Sequence, residues 1–233
     1  MMTATLNLFK LSLRQLLGRQ RLLLLVVLTL IALIPSLLAA ISLWVGRPLQ
    51  SAQLFADFDL PVVLPLIALI VSGSLLREEI HNRTIVYLLT KPIARSLIVL
   101  GKFAAGLLLI WALGWLGLLI QAAVLADGSE LASQFASVAL ITLAYGAFYL
   151  ALSLFFKRAL LWGLAYLILW EGLLTNILPG VKQLSIHRYA AQFSSGSLGQ
   201  KNAALGVLLA IAAVSLALAA WHLSRMEFPG ETE

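Results

Sequence analysis

The 233-residue sequence has no cysteine. Disulfides, thiolate metal ligands and cysteine nucleophiles are therefore excluded, while the compartment stays open. Charge is scarce too: Asp and Glu total 10, Lys and Arg total 16, and charged residues make up 11% of the chain. Soluble domains carry roughly 25%. A phosphate-cradling loop is missing, since Gly101-Lys102 has Ser96 where the first glycine would stand and Phe103 where Ser or Thr would follow. Within the apolar runs there is no pair of carboxylates and no converging His and Ser, which argues against an intramembrane enzyme. Neither a ring of charges nor a carbonyl-filter motif points to a channel. The net charge of +6 does not suggest nucleic acid, because no basic stretch is interleaved with aromatics.

What is present is hydrocarbon. Hydrophobic residues are 61% of the chain and the mean hydropathy is +0.99. A soluble domain of this length has no interior large enough to hide that surface, so lipid must cover it. Apolar runs fall at about residues 22–45, 60–76, 103–126, 131–156, 159–178 and 203–223. Each approaches or exceeds the ~20 residues a helix needs to cross about 30 Å of hydrocarbon. The expected fold is all-α: a polytopic membrane protein of six transmembrane helices forming one transmembrane domain over residues 1–233. Pro35 is a candidate kink in the first run. The second run is short and holds Pro61 and Pro65, which predicts an irregular start.

Residues 1–21 carry Lys10, Arg14, Arg19 and Arg21 without an acid, and Leu6, Phe9, Leu13, Leu16 and Leu17 share one helical face. This predicts an interfacial helix before the first span. A signal peptide is the competing reading, but its apolar core should be about 7–15 residues, and residues 22–45 run on uncharged. With both termini in the cytoplasm, twelve of the sixteen Lys and Arg lie inside, which sets the expected orientation. Residues 179–202 contain Val181, Leu184, Ile186, Tyr189 and Phe193. A disordered loop rarely holds so many large apolar side chains, so this extracytoplasmic segment is expected to be a cap of short helices.

Residues 77–102 form a polar island between the second and third runs, with seven charged residues: Arg77, Glu78, Glu79, Arg83, Lys91, Arg95 and Lys102. A basic loop alone would only reflect the positive-inside tendency. The adjacent acids and the mixed polar–apolar order ask for more. Ile85, Leu88 and Leu89 recur at helical spacing, and Pro92 is a break, so helix, turn, helix is expected at the inner membrane surface.

The stretch from Glu79 to Lys102, E-x-x-x-R-T-I-V-Y-L-L-T-K-P-I-x-R-x-x-x-x-x-G-K, resembles the signature loop of type-2, exporter-like ABC transporter permeases, including the nitrous-oxide-reductase maturation permeases. Residues 170–189, WEGLLTNILPGVKQLSIHRY, resemble that family's fifth span and outer loop. The resemblance implies a coupling helix in residues 77–102 that docks on a separate ABC ATPase, with Glu78, Glu79, Arg83, Thr84, Lys91, Pro92 and Arg95 as candidates for the contact. Family members often have Gly where Arg83 stands. It also implies a plasma (inner) membrane protein that exports its cargo, working with two ATPase subunits that carry ATP and Mg, and with a second permease copy as homodimer or related heterodimer. The alternative within the same machine is a subunit that moves no solute and transmits force to an outer partner. No cofactor, metal or catalytic residue is expected on this chain itself.

Glu171 is the only carboxylate well inside an expected span. Bare in lipid it would cost at least about 2.5 kcal/mol. It is expected to be a gate or pathway residue, paired with Lys182, His187 or Arg188, or else a structural bond holding the outer segment to the bundle. Gln121, Thr142, Tyr145, Asn176 and His222 are expected to bond neighbouring helices. The six tryptophans are expected mostly at span ends, and Gly206 with Ala210 marks a close helix contact.

Overall fold

With few polar side chains to spare, the backbone must satisfy its own N–H and C=O groups, and in lipid only helices do so within one segment. The computed structural model describes residues 19–34, 37, 41, 55–76, 95–125, 131–177 and 180–225, and no strand occurs among them. The helices are α1 (Arg19–Ala32), a first π-helical segment (Phe55–Val63) leading into α2 (Leu64–Ser74), α3 (Arg95–Leu125) and α4 (Leu131–Phe155). Then follow α5 (Ala159–Ala165), a second π-helical segment (Tyr166–Leu174), α6 (Thr175–Ile177), a 3₁₀ turn (Val181–Leu184), α7 (Ile186–Ser195) and α8 (Leu198–Arg225).

Four helical stretches among the described residues are long and apolar enough to cross a membrane: Asp57–Ser74, Ser96–Ala123, Leu131–Phe155 and Leu198–Arg225. The six expected spans are thus met in part. The fifth run is described as a shorter apolar helix, Ala159–Leu174, which takes π geometry from Tyr166 onward. The first is described as helix only over Arg19–Ala32. Most of the expected interfacial helix at 1–21 lies outside the described residues.

α4 is the centre of the bundle. It packs most extensively on α8, then on α2, α3 and α7. Within the membrane-crossing stretches, 67% of α4 is buried against 28% of α8. Small residues let the neighbours approach, as expected where lipid gives no hydrophobic drive between helices. A Cβ on Gly146 of α4 would lie 3.2 Å from both Phe103 Cε2 and Ser72 Oγ, and one on Gly114 of α3 would lie 2.8 Å from Val138 Cγ1. Gly206, by contrast, has no neighbour close to its Cβ position and is exposed together with Ala210, so the expected contact does not form among the described residues.

Trp111 and Trp115 depart from the expectation of interfacial anchors. Trp111 lies near the middle of α3 and donates to Thr142 Oγ1 of α4 at 3.0 Å, while Trp115 donates to the Phe135 carbonyl at 3.3 Å. The rings stack on each other at 5.5 Å. An indole N–H away from water needs a partner, and Thr142 provides one. Thr142 therefore bonds a neighbouring helix as expected. Trp111→Phe is expected to cost about 1 kcal/mol through loss of that bond, readable as a lower melting temperature in detergent.

The two prolines of the second run explain its beginning. Pro61 has no N–H, and it sits inside the first π-helical segment; Pro65 stands in the first turn of α2, where the missing donor does no harm. Asp57 and Asp59, which precede the apolar run that begins at residue 60, are helical as well. Asp59 Oδ1 is buried with no hydrogen-bond partner among the described residues, and its side chain faces Gln121 of α3.

Candidate functional site

The candidate site has two parts at different places in the chain. Six of the expected docking residues, Glu78, Glu79, Arg83, Thr84, Lys91 and Pro92, lie outside the described residues. Arg95 is the first residue of α3. That helix runs unbroken for 31 residues, about 46 Å at 1.5 Å per residue, which exceeds the hydrocarbon thickness. Part of it therefore extends beyond the membrane core as a continuation of the span. Lys102, expected in the water-exposed polar island, is only 2% exposed. Its four-carbon stem suits such burial among the helices.

The second part centres on Glu171, in the second π-helical segment and 8% exposed. Its carboxylate collects three donors. Oε1 accepts from the Tyr166 hydroxyl at 2.9 Å and from the Ile186 backbone N–H at 2.9 Å, and Oε2 accepts from the Ser185 hydroxyl. Ser185 is the N-cap of α7, and its oxygen also accepts from the Arg188 N–H at 3.1 Å. The first N–H groups of a helix have no partner inside it and attract negative charge. Glu171 thus serves as a second cap, reaching from the span to the start of α7.

The expected partners were Lys182, His187 and Arg188. The Lys182 side chain lies outside those described, and the bonds seen are to Tyr166, Ser185 and the Ile186 backbone. The physical reason lies in the π geometry. Residues five apart stand about 140° apart around an α-helix, but they fall nearly in line where hydrogen bonds run from i to i+5. Tyr166 and Glu171 are so spaced. The Thr175 hydroxyl donates to the Glu171 carbonyl at 2.6 Å, satisfying one backbone group in that wide turn.

Around the carboxylate lies an aromatic cluster. Tyr145 and Tyr149 of α4 stack at 5.8 Å, Phe148 meets Tyr166 at 4.6 Å, and Tyr166 stacks on Trp170 at 6.5 Å. A groove of about 620 Å³ opens beside it, lined by apolar residues from both π-helical segments together with Glu171 and His187. Such a volume lies in the range of small-molecule sites, about 300–1,000 Å³. His222 stacks on Phe155 at 4.4 Å in the last helix, far along the chain from this cluster.

His187 begins the face of α7 that meets the bundle. Burial pushes its imidazole below the ordinary value of 6.5, and the nearby Glu171 and Asp57 carboxylates oppose that shift. Arg188 follows it in the same turn. The neutral form is therefore the one that packs, and its contribution is complete above the ordinary histidine range. As pH falls through and below about 6.5, the unfolded chain takes up the proton first and stability declines. Thermal unfolding at pH 5 and pH 7.5 is expected to show a smaller pH-dependent loss for His187→Gln than for the parent chain.

Sequence reasoning singled out Glu171 and missed Tyr149, Tyr166 and Ser185. Ser185 did carry a signal, a cap residue immediately before the amphipathic stretch Ile186–Ser195. Among the described residues no cluster of His, Cys, Asp and Glu suits a metal ion. The family model described as ABC-2 family transporter protein matches residues 17–178. No curated protein matches the chain.

Proposed function

Because the chain belongs to the ABC-2 family of transporter membrane proteins, a family whose members are permease subunits working with an ABC ATPase, we propose that it is the permease half of an ATP-driven exporter. ATP and Mg are bound and turned over by two separate ATPase subunits. Two permease chains, identical or related, face each other in the plasma (inner) membrane, each with six spans and both termini in the cytoplasm. Residues 77–102 form the coupling element. Glu78, Glu79, Arg83, Thr84, Lys91, Pro92 and Arg95 make the ATPase contact, and α3 carries its displacement into the bundle. An ion-studded segment gives partner choice and orientation, and a helix that continues without a break passes rigid-body movement on. Within the family, the nitrous-oxide-reductase maturation type is the finer likeness.

What carries this reading is the family match, which takes in the polar segment and Glu171 in one stretch, residues 17–178. Glu171 is the gate residue in this scheme, beside a groove whose apolar walls favour a hydrophobic cargo. The test is co-purification from mild detergent. An ATPase with a phosphate loop is expected to accompany the parent chain. Glu78→Lys with Glu79→Lys is expected to weaken that association by on the order of tenfold or more. Unchanged association would remove the docking assignment.

One observation favours a second reading, in which force is passed to an outer partner and no solute moves. α7 is tied to the fifth run through Glu171 and also packs on α4 and α8. It would therefore move with the spans. ATP hydrolysis stimulated by a solute supports export; a tightly bound outer protein with no such stimulation supports force transmission.

A further inference from the structure

Glu171 has two sets of donors near it, one engaged and one idle. The engaged set is Tyr166, Ser185 and the Ile186 N–H. The idle set is on α4. Tyr145 and Tyr149 are each 0% exposed; neither hydroxyl makes a well-formed hydrogen bond among the described residues, although Tyr145 stands within side-chain reach of Glu171. Both lie near enough to Glu171 to feel its charge, and Tyr149 meets Tyr166 edge-on at 6.5 Å. Buried hydroxyls are rarely left without partners, and those that are call for an explanation. Two of them, four residues apart on the most buried helix and beside the same carboxylate, share one explanation.

The segment that carries Glu171 can supply the movement. A π-helical stretch is a strained variant of the α-helix that concentrates at functional sites. Tightening Tyr166–Leu174 to α geometry would shift the register by one residue, turning Glu171 about 100° around the axis. It would also break the alignment on which the Tyr166 bond depends.

We infer that Glu171 is a two-position latch: in the state described its carboxylate holds the start of α7, and in the other state it exchanges Ser185 and Ile186 for the Tyr145 and Tyr149 hydroxyls and frees α7 from the span. The inference deepens the gate role given to Glu171 above and rests on it. The exchange keeps the carboxylate hydrogen-bonded in both states. That lets a buried acid move without being stranded.

The test is hydrogen–deuterium exchange of the α7 peptide in the full chain, purified in lipid nanodiscs with no nucleotide or ATPase. Removing the idle hydroxyls by Tyr145→Phe with Tyr149→Phe withdraws the partners of the released state. It is expected to slow exchange at the start of α7 by roughly tenfold, about one hydrogen bond's worth for each ring. In a Glu171→Ala background, where no side-chain acceptor remains, the same two changes are expected to have no effect. Exchange that stays the same or speeds up would overturn the latch, as would an equal slowing in both backgrounds. A double tyrosine variant that fails to fold would overturn it too, since idle hydroxyls are not needed for folding. Slowing by the tyrosine changes, together with the absence of any ATPase co-purifying from mild detergent, would leave the latch standing and remove the transport reading, so the two fail separately.

Discussion

Glu171→Ala is expected to detach α7 from the bundle and to give the largest loss of stability of any single polar truncation in this chain. Three donors converge on the carboxylate: the Tyr166 hydroxyl, the Ser185 hydroxyl and the Ile186 N–H. All three would be left inside a site that is 8% exposed at its centre. Each stranded donor costs about 1–3 kcal/mol. Relaxation and an entering water recover part of that, so a net loss of about 3 kcal/mol or more is expected. Glu171→Gln should be milder, because the amide oxygen still accepts while its NH₂ meets the Ser185 hydroxyl differently. Ser185→Ala removes one donor and the α7 N-cap, for about 1 kcal/mol. The order Ala, then Gln, then the Ser185 variant is what thermal unfolding in mild detergent should report. Faster proteolysis within residues 180–197 should accompany the first. If Glu171→Ala melted with the parent chain, the three bonds would have no energetic weight and the capping role would fall.

That ordering bears on which parts of this molecule its sequence could announce. A lone carboxylate in an apolar run declares itself, because its desolvation cost is visible without coordinates. Its partners do not. Ile186 contributes a backbone N–H, which leaves no mark in the sequence. Tyr166 sits five residues before Glu171, a spacing that counts as opposite sides under a 3.6-residue period and becomes adjacent only in the π geometry. The same local widening, around Pro61, carries Asp59 into the bundle against Gln121, although it lies before the apolar run. The four described helical stretches that are long enough to cross a membrane, by contrast, were legible as apolar runs. α3 still began earlier than its apolar run, at Arg95, because helical bonding continues through charged residues once the backbone is committed. The long apolar runs were legible one at a time, but their order of burial was not: α4 and α8 both read as long apolar helices.

What does distinguish them is where glycine stands, and this leads to the second large effect. Gly146→Leu and Gly114→Leu are each expected to prevent the bundle from closing. At Gly146 even a Cβ would meet Phe103 Cε2 and Ser72 Oγ at 3.2 Å, so α2, α3 and α4 all converge there. At Gly114 a Cβ would meet Val138 Cγ1 at 2.8 Å and Leu64 Cδ2 at 3.3 Å. Val138 is β-branched and 0% exposed, so it cannot swing aside without entering another neighbour. Overpacking of this kind costs about 1–3 kcal/mol for added methylenes in a core, and a leucine adds three heavy atoms beyond the Cβ that already clashes. The expected outcome is loss of the monodisperse peak on size-exclusion chromatography for both variants. Gly206→Leu is the control, because nothing lies within 4 Å of its Cβ position. It should leave the folded chain intact, and the gain in helix propensity of about 1 kcal/mol over glycine should raise stability slightly if it is felt at all. A collapse caused by Gly206→Leu would mean that the exposed face of α8 is covered by another chain. Full tolerance of leucine at Gly114 and Gly146 would mean that the three helices do not meet where the structure places them.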